Sequence, residues 1–73
     1  MGQKQTTIIP KAPCARILMH AGAKRVSADA AEAFAEILED IAKEIAKQAS
    51  VISKHAGRKT VLDTDVNIAA KKE

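Results

Sequence analysis

One uninterrupted amphipathic segment, from about Ser27 to His55, constrains the fold more than any other feature of this chain. It contains neither glycine nor proline, and Ser27 and Gly57 are placed to begin and end a helix. Its apolar residues recur at intervals of three and four, as one face of an α-helix requires. They are Phe34, Ile37, Leu38, Ile41, Ile45, Ala49 and Ile52. The spacing predicts a single long helix.

A helix of this length exceeds the width of a small globular domain. With a rise of 1.5 Å per residue, about 29 residues span about 43 Å, whereas the expected radius of gyration is only about 11 Å. The whole sequence has 73 residues and a single cysteine. A monomer therefore buries only a small core and has no internal disulfide to reinforce it. We expect a second chain to cover the long helix.

Shorter elements flank this helix. Residues 1–9 carry few structural signals and are interpreted as a flexible N-terminal arm, which leaves residues 10–73 as one domain. Pro13 suits the first position of a short helix that ends at Gly22. Asp63 is placed to cap a last short helix. The predicted fold class is all-α, with the helices in the order short, long, short.

Several classes of protein are disfavoured. No apolar run approaches the roughly 20 residues of a membrane span, and the start lacks the apolar core of a signal peptide, so we expect a soluble, intracellular protein. Phe34 is the single aromatic residue, which leaves no stacking platform for single-stranded nucleic acid. We expect no metal or cofactor, because neither a Cys/His cluster with zinc spacing nor a cofactor motif is visible. We expect no small-molecule substrate or enzymatic activity, because Ser27 and His55, two residue types of a hydrolase site, would lie about 40 Å apart on one helix.

Charge is segregated along the chain. Residues 1–28 contain five cations and no acid, residues 29–44 are mostly acidic, and residues 45–60 again contain only cations. The cations are Lys4, Lys11, Arg16, Lys24 and Arg25 in the first stretch, and Lys47, Lys54, Arg58 and Lys59 in the last. Positive charge therefore gathers at the two connections on either side of an acidic segment.

Two loop motifs carry a family resemblance. "AGAKRVS" occupies residues 21–27 and "KHAGRKTVLDTDV" residues 54–66, on either side of the long helix. In this order and at this separation they resemble archaeal histones, over about residues 8–70. The resemblance implies the histone fold, in which two chains clasp head to tail across their long helices. The partner would be a second copy of the chain or a paralogue.

The resemblance also implies contacts with double-stranded DNA. The implied DNA-binding residues are Arg16, Lys24, Arg25, Arg58, Lys59 and Thr60. In the clasped dimer the first loop of one chain would lie beside the second loop of its partner. Arg16 and Arg25 would approach the minor groove, while Lys59 and Thr60 would hold phosphates. Such a surface reads the DNA backbone and its deformability, with little reading of base edges.

Three further roles follow from the resemblance. Arg58 and Asp65 would form a buried pair that fixes the second loop, the alternative being a solvated surface pair. Ile52, His55 and Asp65 would form the contact between dimers, although His55 by itself also suits a helix-end residue facing water. Gly22 would allow successive superhelical turns to approach, or would simply cap its helix.

We therefore expect a chromatin protein that binds, bends and wraps double-stranded DNA without sequence specificity. It would form multimers along DNA and compact the nucleoid in the cytoplasm of an archaeon. The alternative function is a heterodimerisation module of a transcription-related assembly. A third interpretation, a generic helical dimer with solvated basic loops, would leave DNA binding almost insensitive to Arg25 and Lys59.

Overall fold

Three α-helices make up the regular structure of the described residues. The computed structural model describes residues 7–71, in which α1 spans Lys11–His20, α2 spans Ala28–His55 and α3 spans Asp63–Lys71. There is no strand in this range. The all-α prediction with the order short, long, short is therefore confirmed. Residues 1–6, which form most of the predicted arm and include Lys4, lie outside the described range.

The first helix begins two residues earlier than the sequence suggested. Its N-cap is Pro10, in an extended conformation with φ of −67° and ψ of 151°, and Lys11 is the first helical residue. The prediction that Pro13 is the first helical residue is therefore wrong. Pro13 is the third residue, which costs little because N–H groups in the first turn have no acceptor within the helix.

The first helix ends in a glycine turn. Gly22 has a φ of +124°, a region that L side chains rarely adopt. Its N–H donates to the carbonyl of Met19 over 3.0 Å, and the N–H of Ala23 donates to that of Leu18 over 3.1 Å. This pair of bonds is the Schellman pattern, which satisfies carbonyls that have no partner within the helix.

The long helix begins at the cap that the sequence predicted. The hydroxyl oxygen of Ser27 accepts the N–H of Ala30 over 3.0 Å, and its carbonyl accepts the N–H of Ala31 over 3.0 Å. Asp29 in the first turn adds negative charge at the positive end of the helix dipole. From there α2 continues for 28 residues without a break.

The chain divides into two compact units within α2, between Asp40 and Ile41. In the first unit, Glu39 connects α2 to the segment preceding α1. Its carboxylate oxygen Oε1 accepts the backbone N–H groups of Ile8 and Ile9 over 2.6 and 3.2 Å. The last residues of the predicted arm are thus attached to the long helix.

The apolar side chains that are fully buried within the described chain are all small. They are Cys14, Ala31, Ala35, Ala49 and Ala69. By contrast, Ile37 and Ile41 on the predicted apolar face of α2 are 57% and 49% exposed. Several other large apolar residues are similarly exposed: Ile17, Val51, Val61, Leu62, Val66 and Ile68. One chain therefore leaves much of its large apolar surface uncovered.

Candidate nucleic-acid interface

The second loop begins with a glycine turn at the end of α2. Gly57 has a φ of +75°, and its N–H donates to the carbonyl of Lys54 over 2.9 Å. The N–H of Arg58 donates to the carbonyl of Ser53 over 3.0 Å. These bonds again form the Schellman pattern, so the chain leaves the helix in a fixed direction immediately before its cationic residues.

A two-point ion pair closes this loop. Arg58 Nη1 lies 2.8 Å from Asp65 Oδ2, and Arg58 Nη2 lies 3.0 Å from Asp65 Oδ1. Nη1 also donates to the carbonyl of Thr60 over 3.1 Å. Asp65 is 1% exposed, whereas the Arg58 side chain is 33% exposed. Paired planar groups of this kind are geometrically specific, and here the carboxylate is shielded from water.

The same carboxylate caps α3. Asp65 Oδ2 accepts the N–H of Leu62 over 2.8 Å, while the Leu62 carbonyl accepts the N–H groups of Asp65 and Val66. This is the acidic half of a capping box, with Leu62 at the N-cap. The prediction that Asp63 caps this helix is therefore wrong. Asp63 is the first helical residue, and its Oδ1 accepts the N–H of Thr64.

These hydrogen bonds shift the acidity of the pair. Donation from the Arg58 side chain, followed by donation from the Leu62 N–H, lowers the pKa of Asp65 to about 2, against the opposing effect of burial. The hydrogen bond to Asp65 raises the pKa of Arg58. Both groups are therefore charged at neutral pH, and the loop is held by an ion pair.

Ser53 is a loop contact that the sequence analysis did not identify. Ser53 is 2% exposed. Its hydroxyl oxygen lies 3.1 Å from the Arg58 carbonyl oxygen and 2.9 Å from the Thr60 carbonyl oxygen. The available signal was a hydroxyl residue close to the end of the apolar face of α2. Such a residue needs a hydrogen-bond partner when it is buried.

The remaining polar side chains of the second loop point into solvent. Lys59 and Thr60 are both exposed, and Lys59 makes no ion pair with any residue in the described range. The loop thus has a backbone fixed by hydrogen bonds and a lysine whose ammonium group is available to an anion.

Exposed cations also occur in the first unit. Arg16 lies on α1, and Lys24 and Arg25 lie in the loop between α1 and α2. All three are exposed, and none forms an ion pair within residues 7–71. These side chains carry positive charge that is not neutralised by a described neighbour.

The residues predicted to join dimers lie near the end of α2 and the start of α3. Ile52 is half-buried and His55 is exposed in the last turn of α2, whereas Asp65 is buried in its pair with Arg58. The described chain shows no hydrogen bond between His55 and Asp65. The predicted contact would join two different dimers, and one chain does not test it.

Other kinds of site find no support in the described part of the chain. No group of three or more histidine, cysteine or acidic residues there could hold a metal ion. No described helix is both long enough and apolar enough to cross a membrane. The free thiol of Cys14 is buried in the small core.

Comparison with known proteins identifies the family. The family model described as "Histone-like transcription factor (CBF/NF-Y) and archaeal histone" matches residues 7–70. The chain belongs to this family. It is 52% identical over 63 residues to a chain of the archaeal histone HAN1 from Thermococcus zilligii, covering 86% of this chain and 94% of the relative. It is 56% identical over 61 residues to "Probable archaeal histone 3" of Methanocaldococcus jannaschii, covering 84% and 91%.

Family membership assigns the three helices to a known fold. The short, long and short helices are those of the histone fold, as the loop motifs suggested. The family description and the names of both relatives refer to histones and histone-like transcription factors, and the chain is accordingly a histone-fold protein and not an enzyme.

The ion pair predicts how stability depends on pH. Because the pKa of Asp65 is about 2 in the folded chain and that of an unfolded aspartate is about 3.9, its stabilisation is fully present above about pH 4. It is lost as the pH falls toward about 2, because the unfolded chain then binds more protons. Asp65→Asn should lower the melting temperature at neutral pH and reduce its further fall between pH 5 and 2.

The matched control is Asp63→Asn, which alters an exposed carboxylate two residues away. Melting temperatures of both variants, measured by circular dichroism at one protein concentration, should show the reduced acid sensitivity only for Asp65→Asn. A full acid-induced fall in Asp65→Asn would contradict a stabilising role for this carboxylate.

Proposed function

We propose that this protein is an architectural histone that binds double-stranded DNA as a dimer and without sequence specificity. The observation that carries the proposal is the second loop, where hydrogen bonds fix the backbone while Lys59 and Thr60 remain exposed. A rigid loop with an available cation suits the repeated phosphates of DNA, which lie at regular intervals along the duplex. The protein would be associated with the chromosome.

The dimer is supported by what one chain leaves exposed. About half of the surface of Ile37 and of Ile41 remains exposed to solvent in the single chain. Full burial of a large apolar side chain contributes roughly 1.5–3 kcal/mol to stability. The alanines and the cysteine of the small core offer much less apolar surface. A head-to-tail clasp between two α2 helices would cover this face. The partner is a second copy or a paralogue.

The proposed DNA contacts divide by side-chain chemistry. Lys59 and Thr60 would bind phosphates, and Lys24 would add positive charge beside them. Arg16 and Arg25 would enter or approach the minor groove, since a planar and weakly hydrated guanidinium tolerates that narrow space. In the clasped dimer, the first loop of one chain would meet the second loop of its partner, which would form two patches for one bent duplex.

Arg58 would contribute to this surface mainly by bracing it. Three of its hydrogen bonds go to Asp65 and to the Thr60 carbonyl. An arginine side chain has five N–H donors, so two remain on a group that is 33% exposed. We therefore propose that Arg58 acts mainly by fixing the geometry of the loop, and that a phosphate contact is its secondary role.

We further propose that dimers join end to end through Ile52, His55 and Asp65. The Asp65 carboxylate accepts three hydrogen bonds and has roughly one acceptor position left, on Oδ1. Because Asp65 is 1% exposed, a histidine from another dimer reaches this position only if neighbouring side chains shift. Exposed His55 and half-buried Ile52 provide the polar and apolar parts of such a contact.

The second candidate is a heterodimerisation module in a transcription-related assembly. The family description includes histone-like transcription factors as well as archaeal histones. Met19 and Leu62, 46% and 42% exposed, are apolar residues close to the proposed DNA surface, and exposed Asp40 and Glu44 add negative charge on α2. In this alternative the loop cations contribute little to binding.

Loop substitutions test the DNA contacts. Arg25→Ala and Lys59→Ala should each weaken binding to several unrelated duplexes by similar factors. Each cation removed from the DNA surface makes the slope of log K against log salt less negative by about 0.9. A dimer carries each residue twice, so each substitution should make its slope less negative by up to about 1.8. Fluorescence anisotropy at several salt concentrations measures both effects.

The control is Lys47→Ala, which removes an exposed cation of α2 outside both loops. Its salt slope should match that of the unmodified protein. Unchanged binding in Arg25→Ala and Lys59→Ala, or sequence-dependent losses, would contradict the proposed backbone contacts and favour the interaction module.

Nuclease digestion tests the end-to-end contact. Long duplex DNA saturated with the protein should give protected fragments that grow in steps of one dimer. His55→Ala should collapse this ladder to short fragments while the dimer mass in solution stays the same. His20→Ala is the matched control, since it removes the other exposed histidine in a last helical turn. A single protected size in the unmodified protein would indicate a closed assembly, and no protection would favour the interaction module.

Gly22 requires a comparison that separates bulk from backbone strain. A Cβ at this position would meet no atom within 4 Å in the chain, but the φ of +124° strains any other residue. Gly22→Ala and Gly22→Met share that strain and differ in side-chain size. If Gly22 allows superhelical turns to approach, only Gly22→Met should shorten the nuclease ladder. Equal ladders from the two variants would restrict Gly22 to its role in the turn.

A further inference from the structure

Ser53 is a buried polar residue at an unusual place in α2. It is the third residue from the end of the helix and is 2% exposed, whereas its neighbour Lys54 is exposed. A serine hydroxyl in this position usually faces water or bonds back to the preceding helical turn. Here it points forward, toward the second loop.

The hydroxyl of Ser53 lies within hydrogen-bond distance of two loop carbonyls. Its Oγ is 3.1 Å from the Arg58 oxygen and 2.9 Å from the Thr60 oxygen. Since a hydroxyl has a single proton, these two acceptors share or alternate in one donation. The backbone of Ser53 adds a third connection, because its carbonyl accepts the N–H of Arg58 over 3.0 Å.

The Thr60 carbonyl receives one donor from α2 and one from the second loop. Ser53 Oγ approaches it from α2, and Arg58 Nη1 donates to it over 3.1 Å while also binding Asp65 at the start of α3. The peptide group after Thr60 is therefore connected to both flanking helices. Such connections restrict the orientation of the loop before any ligand binds.

Lys59 lies between the two carbonyls that Ser53 binds. Its main chain is thus fixed on both sides, while its side chain is exposed and has no ion-pair partner in the described chain. A preset backbone lowers the entropy that must be lost when the ammonium group binds a phosphate. A preset backbone also lowers the entropy that must be lost when the side chain of exposed Thr60 binds a phosphate.

We propose that Ser53 is a positioning residue for DNA, whose hydroxyl presets the segment Arg58–Thr60 so that Lys59 and Thr60 meet the phosphate backbone. This inference rests on the proposed function. Ser53 itself touches no DNA, and it acts through the geometry of the second loop. The hydroxyl of a buried α2 residue thus becomes a determinant of affinity for duplex DNA.

The test is a double-mutant cycle with Ser53→Ala and Lys59→Ala. Alanine fits the space of serine and favours a helix, so Ser53→Ala should fold. One neutral hydrogen bond changes an equilibrium by a factor of about 2 to 10. A dimer carries two copies of Ser53, so we expect Ser53→Ala to weaken its binding to a short duplex by up to the square of that factor, about fourfold to a hundredfold. In the Lys59→Ala background, the same substitution should weaken binding by less than about twofold.

Ser50→Ala is the matched control. Ser50 is a half-buried serine one turn earlier in α2, with no side-chain hydrogen bond in the described chain. Affinities are measured well below the melting temperature of every variant, and circular dichroism checks that each is folded. Ser50→Ala should bind DNA as the unmodified protein does.

The outcomes separate this inference from the proposed function. A loss that is equally large with and without Lys59 would mean that Ser53 acts on general stability, and it would overturn the positioning role. Full affinity in Ser53→Ala would overturn it as well, while leaving the proposed function intact. If the unmodified protein fails to bind duplex DNA, the proposed function fails and this inference fails with it.

Discussion

The carboxylate of Asp65 accepts hydrogen bonds from two groups that are otherwise unrelated, the Arg58 guanidinium and the Leu62 backbone N–H. One residue therefore closes the second loop and begins α3. Removing Arg58 would leave the buried carboxylate of Asp65 without a compensating charge. Such a loss costs more than an ion pair contributes relative to a well-packed apolar substitute. The hydrogen bonds of the pair hold the second loop in one conformation. Lys59, directly after Arg58, lies in the loop that this pair closes.

Electrostatics then divides the cations into two kinds. Arg58 is neutralised by Asp65, and its charge serves the loop. Lys59, and in the first unit Lys24 and Arg25, keep their charges exposed. The formal net charge is only +3, so the total charge of the protein is a poor guide to its attraction for polyanions. In the proposed complex, the local excess of unpaired cations in the loops would determine how strongly the protein attracts the DNA phosphate backbone.

Local signals in the sequence predicted much of the fold. The three- and four-residue spacing of apolar side chains gave α2, while Ser27, Gly22 and Gly57 marked helix ends through short-range geometry. Pro13 misled because a proline fits any position in the first turn, so it does not specify the first residue. Asp63 misled because Asp65, two residues later, competes for the capping role and has Arg58 to orient it.

In the candidate site too, some contacts could be predicted from the sequence and others could not. A family motif indicated the Arg58 and Asp65 pair, since seven residues across a loop carry no periodic signal of their own. No motif indicated the two carbonyl contacts of Ser53. Its acceptors are backbone carbonyls, whose positions depend on the path of the loop and not on the identity of any side chain. Contacts between a side chain and a distant backbone group are therefore the part of a site that sequence patterns reveal least.

The proposed dimer would couple folding to DNA binding through the apolar face that one chain leaves uncovered. In that dimer, a chain that buries alanines but leaves Ile37 and Ile41 half exposed would gain much of its remaining stability from its partner, so its folded fraction would depend on concentration. In the proposed dimer, the duplex would contact loops of both chains at once. Binding then stabilises the assembled form over the separate chains, because a ligand stabilises whichever state it binds more tightly. DNA binding would thus stabilise the dimer, and the loops that contact DNA would also help to hold the two chains together.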